Sequence, residues 1–166
     1  MENEKKIENA YYLARKKVAK HRTEACDLLD TISEDTLERI ENERKIPTPD
    51  EVLEMARCFN EPNLRNHYCA NQCPLGQEYV PSIEICELSQ TILQMLAALN
   101  TIECEKDRLV EIAADGQIDD SEIKDFIQIE EDLIKISMTA EALQLWSEKM
   151  LNSGKINIER YNELKK

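Results

Sequence analysis

Three groups of residues in this chain have the types and spacing to do specific chemistry. The first is His67-x-Cys69-x-x-x-Cys73. An imidazole and two thiolates can bind zinc, but a closed zinc site takes four ligands, usually as two pairs. No second pair lies nearby, and only the fold could deliver Cys26 or Cys58. Free cysteines packing a helix turn account for the same letters. The expectation is no bound metal and no cofactor, with His67, Cys69 and Cys73 as the candidate ligands should there be one. The second group, Asp115-Gly116-Gln117-Ile118-Asp119-x-x-Glu122, mimics the second half of an EF-hand loop. Its first half would place Glu111 and Ala113 at ligand positions, so calcium is not expected. A helix break with Asp119 or Asp120 capping the next helix explains it as well. The third group is the run Ser33-Glu34-Asp35-Thr36-Leu37-Glu38-Arg39-Ile40-Glu41-Asn42. Its Arg39 could read guanine in a bidentate pair, its Thr36 could touch a thymine methyl, and its acids could accept only from cytosine N4. Walker loops, nucleophile elbows, zincin motifs and dinucleotide fingerprints are missing. With three scattered glycines, phosphate cradles of the usual kind cannot be built. His21 and His67 read as surface or packing residues, and no enzyme is expected.

The elements that must position these residues are all helical. The five prolines fall between 47 and 81, Glu, Lys, Leu, Ile and Ala dominate, and no strand-like alternation occurs. Ile7, Ala10, Tyr11, Ala14 and Val18 predict a first helix over 4–20, with Lys16, Lys17 and Lys20 toward its C-terminal end. Thr23 can cap a short second helix burying Ala25, Leu28 and Leu29. Ser33, followed by Glu34 and Asp35, starts a third with Leu37 and Ile40 inward. Thr48-Pro49 starts a fourth, cap and proline in their preferred order, carrying Val52, Leu53, Met55, Ala56 and Phe59. A short segment at 64–69 follows, and Cys73-Pro74-Leu75-Gly76 closes a first domain, 1–76.

The remainder, 77–166, reads differently. Ile85, Leu88, Ile92, Met95, Leu99, Ile102, Leu109 and Ala113 keep a 3–4 heptad spacing, with Lys106 as a lapse. Asp115-Gly116 breaks it, and a second seam runs through Phe126, Ile129, Leu133, Ile136, Ala140, Leu143 and Met150, with Ser147 as a lapse. Two such helices predict a long antiparallel helical hairpin. An adjacent stripe on the second helix, Ile123, Ile127, Ile134, Met138 and Leu145, needs a further surface, such as the N-terminal domain or a second hairpin. Trp146 reads as a core or interface anchor. Gly154 ends the helix, and Ile156, Ile158, Tyr161 and Leu164 suggest a short docking tail.

The net charge of −13 is unevenly spread. Residues 1–66 hold twelve Lys/Arg against fifteen Asp/Glu, or −3, and residues 67–166 hold nine against nineteen, or −10. The C-terminal part is therefore unsuited to phosphates or an anionic membrane, while the N-terminal part depends on where its cations sit. The opening MENEKKIENA is charged and no run approaches a membrane span, so a cytoplasmic protein with reduced thiols is expected.

Four short helices, the second and third separated by a tight turn, can present one helix to a DNA major groove. The residues from Thr23-Glu24-Ala25-Cys26 through Ile32-Ser33-Glu34-Asp35-Thr36-Leu37-Glu38-Arg39-Ile40-Glu41-Asn42 to Arg44-Lys45-Ile46-Pro47-Thr48-Pro49 resemble the lambda-repressor/Cro type of helix-turn-helix regulator. Residues 12–76, with EVLEMARCFNEPNL and YCANQCPLG, are similar to a group of such regulators from Gram-positive bacteria and their mobile elements. The resemblance implies that Ser33, Glu34, Asp35, Thr36 and Arg39 lie on or beside the groove-facing surface. It implies that Thr23 and Glu24 begin the helix crossing the DNA backbone, and that Arg22, Arg44 and Lys45 face phosphates. The sequence departs from the family pattern at two glycine positions: Asp30-Thr31 fills the turn, and Glu43 follows Asn42.

The expected function is a sequence-specific, bacterial, cytoplasmic transcription regulator that binds double-stranded DNA. It would act as a homodimer, the C-terminal helices pairing and the Ser33–Asn42 helix in the major groove. Glu34, Asp35, Glu38 and Glu41 against the single Arg39 keep another class open: a protein-interaction adaptor of helix-turn-helix fold with weak or no DNA binding. A metal- or redox-sensing regulator built on Cys69 and Cys73 is a further variant.

Overall fold

A computed structural model describes residues 9–165 except Ile85 and Asp115, and except the side chain of Ala113. The expected helix start at residue 4, Ile7, Ile85, the Ala113 side chain and Asp115 lie outside the described residues. The chain is all-helical, with no strand among the described residues. In chain order the helices are α1 (Ala10–Val18), α2 (Arg22–Cys26), α3 (Glu34–Glu41), α4 (Pro49–Cys58), α5 (Asn63–Asn71), α6 (Gly76–Tyr79), α7 (Leu88–Ala113), α8 (Ile123–Asn152) and α9 (Ile158–Leu164). None of them is long and apolar enough to cross a membrane. Two compact units emerge: Met1–Ile83 together with Glu148–Lys166, and Glu84–Ser147.

In the first unit the helices begin where local chemistry caps them. Asn9 caps α1, its side chain accepting from Tyr12 N–H at 2.9 Å. Ser33 caps α3 by accepting from Thr36 N–H, and Thr48 caps α4 in a reciprocal box with Glu51, with Pro49 as first helical residue. Thr23 does not cap α2; it lies inside the helix. The carboxylate of Glu24 closes that end instead, accepting from the N–H groups of Lys20 and His21. The inward faces of α1 to α5 meet in one core that includes Tyr11, Ala25, Leu37, Ile40, Met55 and Phe59. Leu28, expected inside, and Leu53 are largely exposed.

The chain after α5 stays with this unit beyond residue 76. Gly76 approaches the Cys69 carbonyl so closely that a β-carbon there would stand 2.1 Å from the oxygen. Asn66 is buried, donates to Pro81 O and accepts from Ile83 N–H, and Ile83 is itself buried. The last turn of α8 returns to the same unit. Lys149 and Lys17 both donate to Glu61 Oε1 at 2.8 Å, and Arg65 pairs with Glu148. Gly154, at φ +70°, ends α8. The short α9 buries no residue, and Ile158 and Leu164 remain exposed, against their expected docking role.

In the second unit, Arg108 near the end of α7 bonds Asp125 near the start of α8 at 2.8 Å. The inward face of α7 is set by buried Thr91, Ala98 and Ile112, with Met95, Ile102 and Leu109 partly covered between them. This corrects the heptad reading. Met95, Ile102 and Leu109 belong to the seam, but Ile92, Leu99 and Lys106 are exposed and their neighbours Thr91, Ala98 and Glu105 take the inward positions. On α8, Ile129 and Asp132 are buried, and Leu133 is about half exposed. Asp132 is held ionised by hydrogen bonds from Lys135 and Gln128, which lower its pKa. Asp119 caps the entry to α8, accepting from the N–H groups of Ser121 and Glu122.

Candidate nucleic-acid interface

Helix α3 presents two faces. Leu37 and Ile40 enter the core, while Ser33, Glu34, Asp35, Glu38 and Arg39 are exposed and Thr36 is half-buried. The fourth acid of the helix is not on the surface. Glu41 is 1 % exposed and forms a two-pronged ion pair with Arg15 of α1, itself 3 % exposed, at 2.5 and 3.2 Å. Arg15 also donates to the carbonyls of Ala19 and Lys20, so its guanidinium pins the end of α1 to the back of α3. Arg22 joins from α2, donating to the second Glu41 oxygen at 2.8 Å. One buried carboxylate thus ties three helices together.

That network changes the charges available for binding. Arg22 is partly spent on Glu41 and stands 3.9 Å from Glu38. Lys45 is paired with Glu51; burial alone would raise that carboxyl's pKa, but hydrogen bonds from Lys45 and from the Thr48 N–H hold it low. Arg39 lies 4.0 Å from Asp35, one turn back. Arg44 is exposed, and no ion pair is recorded for it among the described residues. Thr23 is exposed within α2, and Glu24 is occupied with backbone N–H groups. The sequence-named residues therefore lie on α2, α3 and the following loop. Arg39 and Arg44 are the cations least engaged, beside three exposed acids.

The turn between α2 and α3 solves its glycine problem in an unexpected way. No residue from 27 to 33 takes a positive φ, so Asp30-Thr31 fits without strain. The turn is clamped from α4: Glu54 accepts from the N–H groups of Asp30 and Thr31 and from the Thr31 hydroxyl. Burial opposes the Glu54 charge, but these donors outweigh it and lower the pKa. After α3 the opposite holds. Glu43 adopts φ +57°, the left-handed conformation that favours glycine.

Comparison with known protein families, characterised proteins and solved structures gives no match. The site therefore rests on its own geometry.

The thiols and histidines are not gathered into a metal centre. Among the described residues no group of three or more His, Cys, Asp or Glu side chains is placed to hold an ion. His67 instead sets its ring edge-on to Tyr11, with centroids 5.6 Å apart, and burial lowers its pKa. Cys69 lies on α5 and Cys73 beyond its end, so the two do not share a helix turn. Burial, then nearby acids, raises the thiol pKa values of Cys26 and Cys58, which makes them poor nucleophiles. Arg15, Glu41 and Glu54 were missed as site-shaping residues. Their signal lies in pairing across 26 and 23–24 residues, which no local pattern carries.

Proposed function

We propose that this chain is a sequence-specific DNA-binding transcription regulator of bacterial cytoplasm. In this reading α2 and α3 form a lambda-repressor/Cro-type helix-turn-helix, and α7 and α8 form an antiparallel hairpin that pairs two copies. The observation that carries it is the way α3 is held. Its inner face is locked by Leu37, Ile40 and the Arg15–Glu41–Arg22 network, while its N-terminal outer face projects Ser33, Glu34, Asp35 and Arg39 into solvent. Rigid support behind an exposed polar face is what base reading requires, since phosphate contacts position and base contacts specify. Arg44 flanks that face as a phosphate contact, Lys45 would join it only by exchanging Glu51 for a phosphate, and Arg39 and Thr36 supply base contacts. Withdrawal of Glu41 into the core leaves three exposed acids beside the DNA rather than four.

Selection of binding sites from random or genomic DNA at low salt tests this. Enrichment of a two-fold-related site is expected, with affinity falling steeply as salt rises. Arg39→Ala should weaken the selected site roughly tenfold or more and relax one position. No enrichment at low salt would overturn the reading. The exposed acids Glu34, Asp35 and Glu38 favour a second one, in which the same surface docks a basic protein partner and DNA is not bound. In that case Arg39→Ala leaves partner capture unchanged and Glu34→Gln/Glu38→Gln reduces it.

A further inference from the structure

At the end of α3 the first unit leaves a hollow of about 430 Å³, within the ~300–1,000 Å³ of ligand pockets. Four stretches of chain wall it: the start of α1, the end of α3, the loop that follows, and α5 with its C-terminal cap. Ala10, Ile40 and the largely exposed Ile46 supply apolar walls. His67 adds a ring whose pKa burial lowers, set edge-on to Tyr11. Most of the polar groups are already engaged. Asn9 bonds the Tyr12 N–H and the Ile40 carbonyl, Gln72 accepts from the Tyr11 hydroxyl, and Lys45 is paired with Glu51. Glu43 differs. It lines the hollow, and its carboxylate makes no hydrogen bond or ion pair among the described residues. That carboxylate lies near enough to His67 to oppose the effect of burial on the ring. Glu43 also stands at φ +57°, a conformation glycine takes without strain. A glycine would end the helix more cheaply but leave the hollow without this charge.

We infer that this hollow binds a small organic cation, an amine with a compact apolar body, and that Glu43 holds its ammonium group. The body lies on Ala10, Ile40 and Ile46, where removal of apolar surface from water drives binding. Charge decides the class. An anion meets the Glu43 carboxylate and has to draw Lys45 away from Glu51. A neutral molecule of the same shape covers the same apolar surface but gains nothing from Glu43. The site has a consequence for DNA that rests on the proposed regulator function, whereas binding itself does not. Glu43 precedes Arg44 in the loop after α3, so a bound cation neutralises the acid next to a phosphate contact. DNA and the cation therefore each tighten the other's binding, by the same factor.

NMR titration of the full chain without DNA, at neutral pH, tests this with three probes of one shape: 2-phenylethylammonium, neutral 2-phenylethanol and anionic 3-phenylpropionate. The cation is expected to bind at millimolar concentration or below and to move the amide signals of residues 43–46. The alcohol should bind roughly fivefold more weakly, the upper range for an exposed ion pair, and the anion weakest. Glu43→Gln keeps the side chain's size; it should weaken the cation roughly fivefold and leave the alcohol unchanged. Ile46→Ala should weaken cation and alcohol alike. Asp27→Asn, an exposed acid that does not line the hollow, should change neither. No binding of the cation at millimolar concentration, equal binding of all three probes, or equal effects of Glu43→Gln and Asp27→Asn overturns the inference. On a selected DNA site, saturating cation should raise affinity roughly fivefold in the wild type and not in Glu43→Gln; an unchanged wild type overturns the coupling. A chain that binds the cation but selects no DNA keeps this site and removes DNA reading; one that selects DNA but ignores the cation does the reverse.

Discussion

At the scale of single residues, the most informative side chains are those standing where another type would be cheaper. Glu43 is held at φ +57° just past α3, where a β-carbon costs about 1 kcal/mol that glycine avoids. Glu43→Gly should therefore stabilise the fold by up to about 1 kcal/mol, partly offset by the greater freedom of glycine in the unfolded chain. A shift of the urea midpoint at unchanged slope would register it. The position follows directly on the α3 C-cap Asn42, where a left-handed residue commonly ends a helix. At the turn Asp30-Thr31 the backbone is relaxed instead, and Glu54 supplies the clamp. The caps Ser33 and Thr48 were legible because a cap is decided within three residues. Thr23 was misread because Glu24, one position on, offers a stronger acceptor to the free N–H groups at that end.

At the scale of elements, the join between α1, α2 and α3 is polar as well as apolar. Removing one member of a buried ion pair leaves the other charge desolvated and unpaired, which costs about 3–5 kcal/mol. Glu41→Ala should lose stability of that order, since it strands Arg15, measured by chemical denaturation. A double change of Arg15→Met with Glu41→Leu should recover a large part of it. Nothing in the letters of α3 distinguishes Glu41 from Glu38; only the packing of α1 behind it does. The seam of α7 was misread for a related reason. Periodicity ranks stripes by hydrophobicity, so it chose Ile92 and Leu99. Thr91 and Ala98, which hydrophobicity ranks lower, took the inner positions instead. The helices, and the 3–4 spacing within them, were legible; which stripe meets which neighbour was not.

At the scale of the whole molecule, stability should decline on the acid side in two steps. His67 is kept neutral by burial, so its pKa is lower folded than unfolded. Between the unfolded value of about 6.5 and the lower folded one, the unfolded chain binds more protons, and stability falls as pH falls. Glu51 and Glu54 also have lowered values when folded, so the stability they add is present above about 4.3 and lost as pH falls through their folded values. Thermal melts at fixed protein concentration from pH 2 to pH 8 should show both steps, and His67→Gln should remove only the upper one. The discontinuity of the first unit bears on how the chain is made. Its early helices leave the ribosome with Glu61 facing Lys17, but Glu148 and Lys149 follow only after the whole second unit has been translated. At ~5–20 residues per second that is a wait of roughly 3–13 s. The last turn of α8 is thus a late latch, closing a body already assembled, and a nascent chain stalled before residue 148 should expose the surface around Glu61 and Arg65 to proteases and chaperones.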